Sequence, residues 1–328
     1  YERSLLELPA DQIFAASNFG NGNDTKLAFN ELQGSSYRYL ANSILNAAFL
    51  QFDNQFAKKF RIVWGLRIED FDQLIGATKK SDDRFVYNRK RDYLPGVNLT
   101  YKINNSTNVR LSGSQTVIRP EFRELSTFQF YDFDLGATIA GNTALVRTKV
   151  SNFDLRYEVY PRAGELFTLG VFYKYFKNPI EVYFNASSGA SSSTYNFLNA
   201  DEANSFGAEL EFRKKLDIIK ALKNFTVQGN FSYIYNRVTG VGAAEARPMQ
   251  GQSPYLLNAA VQYDLDRYGI STTMLFNVIG RRIAYVGGEP QPPIWENPRP
   301  VMDFQLAKKV LKSKGEVKLN VSDLLNKR

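Results

Sequence analysis

The feature that most constrains this chain is a period of two in its hydrophobic residues. Between Phe225 and Tyr235 the odd positions are Phe, Val, Gly, Phe, Tyr and Tyr, whereas the even positions are Thr, Gln, Asn, Ser and Ile. Successive side chains of a β-strand point to opposite faces, so this segment has one apolar and one polar face. The same alternation recurs over residues 60–68, 97–103, 153–159, 255–265 and 316–321. The chain is therefore predicted to be all-β.

The alternation predicts about twelve strands, several of them longer than the five or six residues usual in soluble proteins. Their expected ranges are 40–53, 57–73, 91–103, 107–119, 148–161, 166–184, 205–216, 224–238, 253–265, 269–286, 300–311 and 315–326. A tilted strand needs roughly 9 to 11 residues to cross a bilayer. Because only every second residue of such a strand contacts lipid, a membrane-spanning sheet is compatible with the mean hydropathy of -0.34.

The connections between these segments alternate between short and long. Short turns are expected at 54–57, 104–106, 162–165, 217–223, 266–268 and 312–314, and long loops at 1–38, 74–90, 120–147, 185–204, 239–252 and 287–299. Outer-membrane barrels have short turns on the periplasmic side and long loops outside, whereas a soluble sandwich has no reason to sort its loops. The sequence thus predicts a transmembrane antiparallel β-barrel.

Aromatic residues near the ends of the apolar stripes fit the girdles found at the two membrane interfaces. The candidates are Tyr157, Tyr160, Tyr173, Tyr175, Tyr233, Tyr235, Tyr255 and Tyr263. The alternative is that these rings fill the core of a soluble β-domain. The polar opposite face of whole strands favours the barrel, with a wide aqueous or plugged interior.

Composition excludes most enzyme chemistry. The chain has no Cys and no His, which removes thiolate nucleophiles, histidine-assisted catalysis and Cys–His zinc sites. Only carboxylate pairs such as Asp82 with Asp83 and Asp132 with Asp134 remain, and neither has a supporting context. We therefore expect no enzyme activity and no cofactor. The net charge is +8, but the basic residues are spread along the chain, so no nucleic-acid partner is expected.

Several segments resemble, in the same order, the C-terminal half of the barrel of TonB-dependent receptors from Gram-negative outer membranes. They are KFRIVWGLRIED (59–70), LPGVNLTY (94–101), VRLSGSQTVIRP (109–120), NFDLRYEVY (152–160), FYKYFKNPIE (172–181), NSFGAELEF (204–212) and GEVKLNVSDLL (315–325). The resemblance implies a barrel of 22 strands with a plug domain in its lumen. Neither a plug, a TonB box nor a terminal strand is recognised, so residues 1–328 are expected to be a single β-barrel domain fragment.

The resemblance also implies a function and a set of partners. Such receptors import scarce large nutrients, namely iron chelates, haem, cobalamin, glycans or peptides, through a plug driven by the TonB complex. The expected partners are outer-membrane lipids, the plug domain of the same parent chain, the TonB complex and a surface lipoprotein. The alternative function is a receptor-like barrel that acts as a scaffold for other outer-membrane proteins.

In the family, ligands bind to the outer loops, so the binding residues are sought there. The candidates combine aromatic rings with guanidinium groups, which bind anionic or aromatic ligands by charge and stacking. They are Arg119, Phe122, Arg123, Phe128, Phe130, Tyr131, Tyr195 and Trp295, with Phe133 and Phe197 beside them. The alternative is that these rings pack the loops against one another.

A second set of candidates is expected to face the lumen, where charge-assisted hydrogen bonds would hold the plug. They are Arg61, Arg67, Arg110, Arg156, Glu158, Glu209, Glu211, Arg213 and Lys318. The alternative is a solvated wall.

Overall fold

The computed structural model describes residues 7–20, 26–28, 40–76, 80–82, 85–133, 136–185, 194–240, 246–288, 291–312 and 314–327. The chain forms two compact units, residues 1–39 and 40–328. The first unit has a single helical turn, α1 (Ala10–Ile13), and a 3-10 turn (Ala16–Asn18), with the rings of Phe14 and Phe19 stacked at 6.4 Å. No helix within the described ranges is long and apolar enough to cross a bilayer.

The second unit is built from strands. In its described part they are β1 Leu40–Phe56, β2 Phe60–Gly76, β3 Val86–Asn104, β4 Thr107–Ile118, β5 Gln129–Asp132, β6 Ala137–Ala140, β7 Thr148–Val159, β8 Leu166–Lys177, β9 Ile180–Asn185, β10 Thr194–Asn199, β11 Glu202–Lys215, β12 Phe225–Thr239, β13 Tyr255–Leu265, β14 Ile270–Ile279, β15 Arg282–Gly287, β16 Ile294–Glu296, β17 Val301–Val310 and β18 Gly315–Val321. Short 3-10 turns lie at Lys220–Leu222 and Asp266–Tyr268. The all-β prediction is confirmed.

Twelve strands form one antiparallel sheet, which we call the main sheet. Its order is β1, β2, β3, β4, β7, β8, β11, β12, β13, β14, β17 and β18, so the strands follow one another in sequence order. Each of the twelve predicted segments supplies one strand of this sheet. Tight turns join the strands at one end; between β1 and β2, for example, the turn has three residues, and Ala57 and Lys58 both have positive φ.

Two predicted strands each span two observed strands. The segment 166–184 divides into β8 and β9, and the segment 269–286 divides into β14 and β15. At the first break Asn178 has a φ of 56° and precedes Pro179, which has no N–H to continue the ladder. At the second break Gly280 lies so close to Tyr255 that a Cβ atom would be 2.8 Å from its ring.

The two faces of the main sheet differ in chemistry, as the strand register shows. Directly paired residues share a face. One such row consists of Leu111, Leu155, Val171, Ala208 and Tyr233, and the neighbouring row on the other face consists of Arg110, Arg156, Gly170, Glu209 and Ser232. We call these the apolar face and the polar face. The apolar row is not covered by protein, since Leu111 is 52% exposed.

Aromatic pairs lie across neighbouring strands on the apolar face at two levels. Near the short turns Phe60 contacts Tyr101 and Phe225 contacts Tyr263, with ring centroids 4.7 and 4.6 Å apart. Nearer the long connections Phe206 contacts Tyr235 at 5.0 Å and Phe153 contacts Tyr173 at 6.4 Å. This two-level arrangement is the one expected of interfacial girdles.

The remaining six strands form a second sheet, which we call the loop sheet, in the order β16, β15, β9, β10, β6 and β5. Three connections that were expected to be loops, 120–147, 185–204 and 287–299, contribute strands to it. β9 and β15, which continue from β8 and β14, run parallel to each other, as do β6 and β10. The long connections are therefore joined by backbone hydrogen bonds instead of projecting separately, and this corrects the expectation of plain loops.

Candidate functional site

Most of the aromatic rings proposed as ligand contacts lie inside the loop sheet. Tyr195 on β10 is buried and contacts the rings of Phe184 and Tyr285 at 5.1 and 4.6 Å. Burial raises the pKa of the Tyr195 phenol. Phe130 on β5 packs against the same cluster, and Trp295 on β16 packs against a second one. These positions fit the alternative interpretation, in which the rings hold the loops together.

A second part of the candidate set packs where the loop sheet meets the main sheet. Phe122 and Phe197 contact a core of Ile75, Leu125 and Leu145, all three of which are buried. Ile75 lies at the end of β2, on the polar face. The 119–147 connection therefore folds onto the polar face at the end of β2 that leads into a long connection. We call the ends of strands next to the long connections their upper ends.

Tyr131 and Phe133 are the exposed aromatic members of the predicted set. They are 53% and 88% exposed, with ring centroids 5.1 Å apart in an edge-on arrangement. Arg123 lies over the neighbouring Phe130 ring at 5.2 Å, and Phe128 contacts that ring at 6.3 Å. The sequence signal of interleaved rings and arginines therefore marks one exposed edge strand, β5, and the turn after it. Asp83 and Asp134 lie outside the described residues.

Arg119, also predicted to bind ligand, is held by two carboxylates. It donates to Glu69 at 2.7 Å and to Asp92 at 3.1 Å, while its guanidinium lies 4.6 Å from the centre of the Phe71 ring. Glu69 and Asp92 are directly opposite each other on β2 and β3. Two facing carboxylates repel each other, so this pair requires nearby cations.

Two further arginines complete this cluster. Arg147 donates to Asp92 at 2.7 Å, and Arg67, predicted to face the lumen, donates to Glu69 at 2.7 Å. Arg119 and Arg147 lie at the two ends of the 119–147 connection, so the cluster fixes both ends of it to the main sheet. The sequence analysis did not identify Glu69 and Asp92 as partners of these arginines. The signal that could have indicated them is an acidic residue at a polar-face position of β2 and of β3.

A second buried ion pair, also missed from the sequence, joins the 240–252 connection to the loop sheet. Arg247 donates to both carboxylate oxygens of Glu181, at 3.1 and 2.5 Å, and to the Tyr183 hydroxyl at 2.9 Å. Gln250 donates from its backbone to Glu181 at 3.0 Å and from its amide to the Ala284 carbonyl at 2.6 Å. Burial alone would lower the pKa of Arg247, but the hydrogen bonds to Glu181 raise it.

The residues predicted to line the lumen all lie on the polar face. Arg110 donates to Glu158 at 3.0 Å, and Arg156 lies 3.7 Å from Glu209 across Gly170. Arg61 forms a two-point contact with Asp53 at 2.9 and 2.6 Å. Glu211, Arg213 and Lys318 share this face by register. Their contact with a plug stays a prediction.

One part of the polar face of the main sheet is lined by amides. On β12, β13 and β14 three amides form a ladder in which Asn258 donates to Asn230 at 2.8 Å and Asn277 donates to Asn258 at 2.5 Å. Glu211 is the next residue in this row. A cavity of about 410 Å³ lies over these amides. The wall thus offers uncharged donors and acceptors on β12, β13 and β14, between strands on both sides that carry ion pairs.

At the end of the short turns, one cluster joins two hairpins. Arg162 donates to Glu165 at 2.6 Å and to Asp217 at 2.9 and 2.7 Å, and Lys214 donates to Glu165 at 2.9 Å. The hydrogen bonds from Arg162 and then Lys214 lower the pKa of Glu165 to about 2. Across the described ranges, no group of three or more acidic side chains is arranged to hold a metal ion.

Comparison with solved structures supports the fold. A variant of the ferric enterobactin receptor PfeA from Pseudomonas aeruginosa superposes with a TM-score of 0.57 at 13% identity, covering 89% of this chain and 49% of that protein. The FrpB iron transporter from Neisseria meningitidis gives 0.62 at 13% identity, covering 89% and 42%, and the copper transporter OprC gives 0.63 at 15% identity, covering 88% and 43%. The chain therefore spans less than half the length of these three proteins. The expected resemblance to a receptor barrel is confirmed at the level of the fold.

No curated protein sequence matches the chain. Its residues 11–328 match the family model described as the outer membrane protein beta-barrel family. The apolar face is therefore the lipid-facing surface, and the long connections lie at the extracellular end. The chain belongs to the outer membrane protein beta-barrel family and resides in the outer membrane of a Gram-negative bacterium.

Proposed function

We propose that this chain is the C-terminal part of the barrel of an outer-membrane receptor that imports a scarce large nutrient. The observation that carries the proposal is the anchoring of one packed loop sheet onto the polar face through Arg119 and Arg147. This arrangement holds a large extracellular surface in a fixed position over an aqueous wall. A receptor needs such a surface to capture its ligand before transport.

The ligand first meets the exposed part of this surface. Tyr131 and Phe133 present two rings to solvent, and Arg123 lies on the adjacent ring of Phe130. An exposed aromatic pair suits a planar cargo. Arg123, which lies over Phe130 on the opposite face of β5, adds a positive charge to the same strand. The similar proteins are a ferric enterobactin receptor, an iron transporter and a copper transporter. A metal chelate is therefore the first cargo class to test, with haem, cobalamin, glycans and peptides after it.

A plug domain of the parent protein would fill the lumen and release it when the TonB complex pulls. The ion pairs Arg110–Glu158 and Arg156–Glu209 lie on the polar face with the arginines still half exposed. Their guanidinium groups retain N–H donors for a partner surface. Catalysis is not part of this proposal, because the barrel only has to position a ligand and a moving plug.

The test uses cells that express the whole parent protein. Growth under iron limitation and uptake of ⁵⁵Fe-loaded catecholate chelate, haem and labelled cobalamin are compared in the parent strain, a strain lacking the gene, and a strain lacking TonB. Loss of uptake of one cargo in both deletion strains is expected. Equal uptake of every cargo in all three strains would contradict the proposal.

Assembly with other outer-membrane proteins is the second candidate, favoured by the exposed pair Tyr131 and Phe133. A surface lipoprotein is the partner to seek. Gentle purification from native membranes would then yield that partner in stoichiometric amount, and Tyr131→Ser with Phe133→Ser would release it. A receptor that acts alone would purify without it.

A further inference from the structure

The main sheet opens between two of its strands at the extracellular end. β3 pairs with β2 along nearly its whole length, but it pairs with β4 only from Gly96 onward. The upper part of β4, from Gln115 to Ile118, pairs with β7 alone. Pro95 lies where the separation begins, and it lacks the N–H that a central strand would donate. β3 and β4 thus diverge toward the extracellular end.

A cavity of about 280 Å³ lies beside this opening. Its lining comes from the upper ends of β2, β3, β7 and β8 and from both ends of the 119–147 connection. Five of the lining residues are cationic, namely Lys90, Arg119, Arg147, Lys149 and Lys177, and no lining residue is acidic. A concentration of positive charge at one place attracts anions.

The nearest carboxylates are already engaged. Glu69 and Asp92 accept hydrogen bonds from Arg67, Arg119 and Arg147. The lysines have no such counter-charge, because nothing in the described ranges forms an ion pair with Lys90, Lys149 or Lys177. Lys149 and Lys177 are moreover directly opposite each other on β7 and β8, where like charges repel.

Arg119, which lines the cavity, does not use all of its donors. Its Nε atom is buried and has no acceptor among the described residues, which is unfavourable. The amides of Asn88 and Asn178 also line the cavity, and Phe71 and Leu145 supply an apolar side.

We propose that this cavity is a binding site for a phosphate-bearing ligand with at least two negative charges. Arginine provides a planar array of donors for tetrahedral oxyanions, and flexible lysines add positive charge. The volume lies just below the roughly 300 to 1,000 Å³ of sites for drug-sized ligands, so it suits a headgroup better than a whole metal chelate. This inference does not depend on the proposed transport function.

The position of the site allows two sources of the bound phosphate group. Lys149 and Lys177 belong to the lipid-facing rows of β7 and β8, four residues or roughly 13 Å beyond Phe153 and Tyr173. Lys90 lies opposite Phe71 on the polar face. The phosphate group therefore comes either from a lipid headgroup of the outer leaflet or from a soluble phosphate compound.

The experiment uses the whole parent protein, purified in a non-ionic detergent and phosphate-free buffer. The test variant combines Lys90→Gln, Lys149→Gln and Lys177→Gln. The control combines Lys102→Gln, Lys220→Gln and Lys223→Gln, which removes the same charge at the short-turn end. All six lysines are exposed, so both variants should fold, which circular dichroism checks.

In the first arm, equilibrium dialysis measures binding of ³²P-labelled pyrophosphate. In the second, protein from phosphatidylcholine vesicles with and without phosphatidate is examined by native mass spectrometry for retained phosphatidate. We expect the test variant to bind pyrophosphate, phosphatidate or both about tenfold more weakly than the wild type. The binding of the control variant should change less than about twofold. Replacing the same three lysines by arginine should preserve binding.

Each outcome decides the question. If the test variant binds only pyrophosphate more weakly, the ligand is a soluble phosphate compound. If it retains only phosphatidate more weakly, the ligand is a lipid headgroup. Equal binding by the test and control variants in both arms would overturn the proposal. Cargo uptake is not measured, so a failure here is separate from a failure of the transport function.

Discussion

Arg247 and Glu181 form a two-point ion pair inside the extracellular loop sheet, with N–O distances of 3.1 and 2.5 Å. Both side chains are largely withdrawn from water. The pair joins the 240–252 connection to β9, which is a central strand of the loop sheet. Each charge therefore depends on the other for its stability.

Replacing Glu181 by Gln should loosen the loop sheet strongly. A buried guanidinium without its carboxylate typically costs about 3 kcal/mol. Hydrogen exchange of the backbone in residues 246–253 is expected to quicken, with the main sheet unchanged. The double variant Glu181→Gln with Arg247→Met should exchange more slowly than the single variant, because no buried charge remains. If the two variants exchange equally fast, an unpaired Arg247 charge does not destabilise the loop sheet.

The turn cluster around Glu165 predicts a loss of stability in acid. Its pKa is about 2 in the folded protein and near 4.5 in the unfolded chain, so folding favours the ionised carboxylate. The stabilisation is fully present above pH 4.5 and is lost as the pH falls from 4.5 to 2. Urea unfolding of the wild type and of Glu165→Gln should be compared across this range. The variant should be the less stable at pH 7 and should lose less on acidification.

Two facing glycines should respond differently to the same substitution. Gly65 and Gly96 are paired across β2 and β3, but a Cβ atom on Gly65 would lie 2.4 Å from the backbone oxygen of Leu50, whereas one on Gly96 meets only Ser114 at 4.0 Å. Gly65→Ala should therefore destabilise the sheet by about 1 to 3 kcal/mol. Gly96→Ala is the matched control and should be nearly neutral. Comparable urea midpoints for both variants would refute the close approach.

Neighbouring residues on β4 test which face contacts lipid. Leu111 is on the apolar face, and Ser112 is on the polar face, where its hydroxyl lies 3.4 Å from Asp154. Leu111→Arg should cost about 2 to 4 kcal/mol of folding free energy in vesicles, because an arginine would enter hydrocarbon. Ser112→Arg can pair with Asp154 and should be tolerated. The reverse ranking in urea unfolding from vesicles would exclude the assigned orientation.

The main sheet could be predicted from the sequence because its alternation persists over long segments. β12, for example, has one apolar face and one mostly polar face from Phe225 to Tyr235. The loop sheet could not, because its strands have only three to six residues, too few to establish a period. Apolar and aromatic residues are frequent on both sides of Asn178 and Pro179, which hid the break between β8 and β9.

The candidate site was predictable in composition but not in pairing. The concentration of aromatic residues and arginines in 119–147 was evident from the sequence. In the structure, however, Phe122 packs in a core, Arg119 anchors the connection to the main sheet, and Phe133 is exposed. Arg119 contacts Glu69, 50 residues away, and Asp92, 27 residues away. Such partners depend on strand register, since a slip of one residue would turn Glu69 to the lipid face. The lysines of the cavity were missed because they come from three strands, β3, β7 and β8, whose arrangement around the opening depends on tertiary structure.

The interleaved strand order of the loop sheet limits how this surface can be altered. β10 lies between β9 and β6, so removing residues 194–199 would divide the sheet into two halves. Foreign peptides grafted for surface display should therefore be inserted between strands of the loop sheet and not within one. Sequence variation should likewise concentrate outside the strands, because each change within a strand disturbs segments contributed by several connections at once.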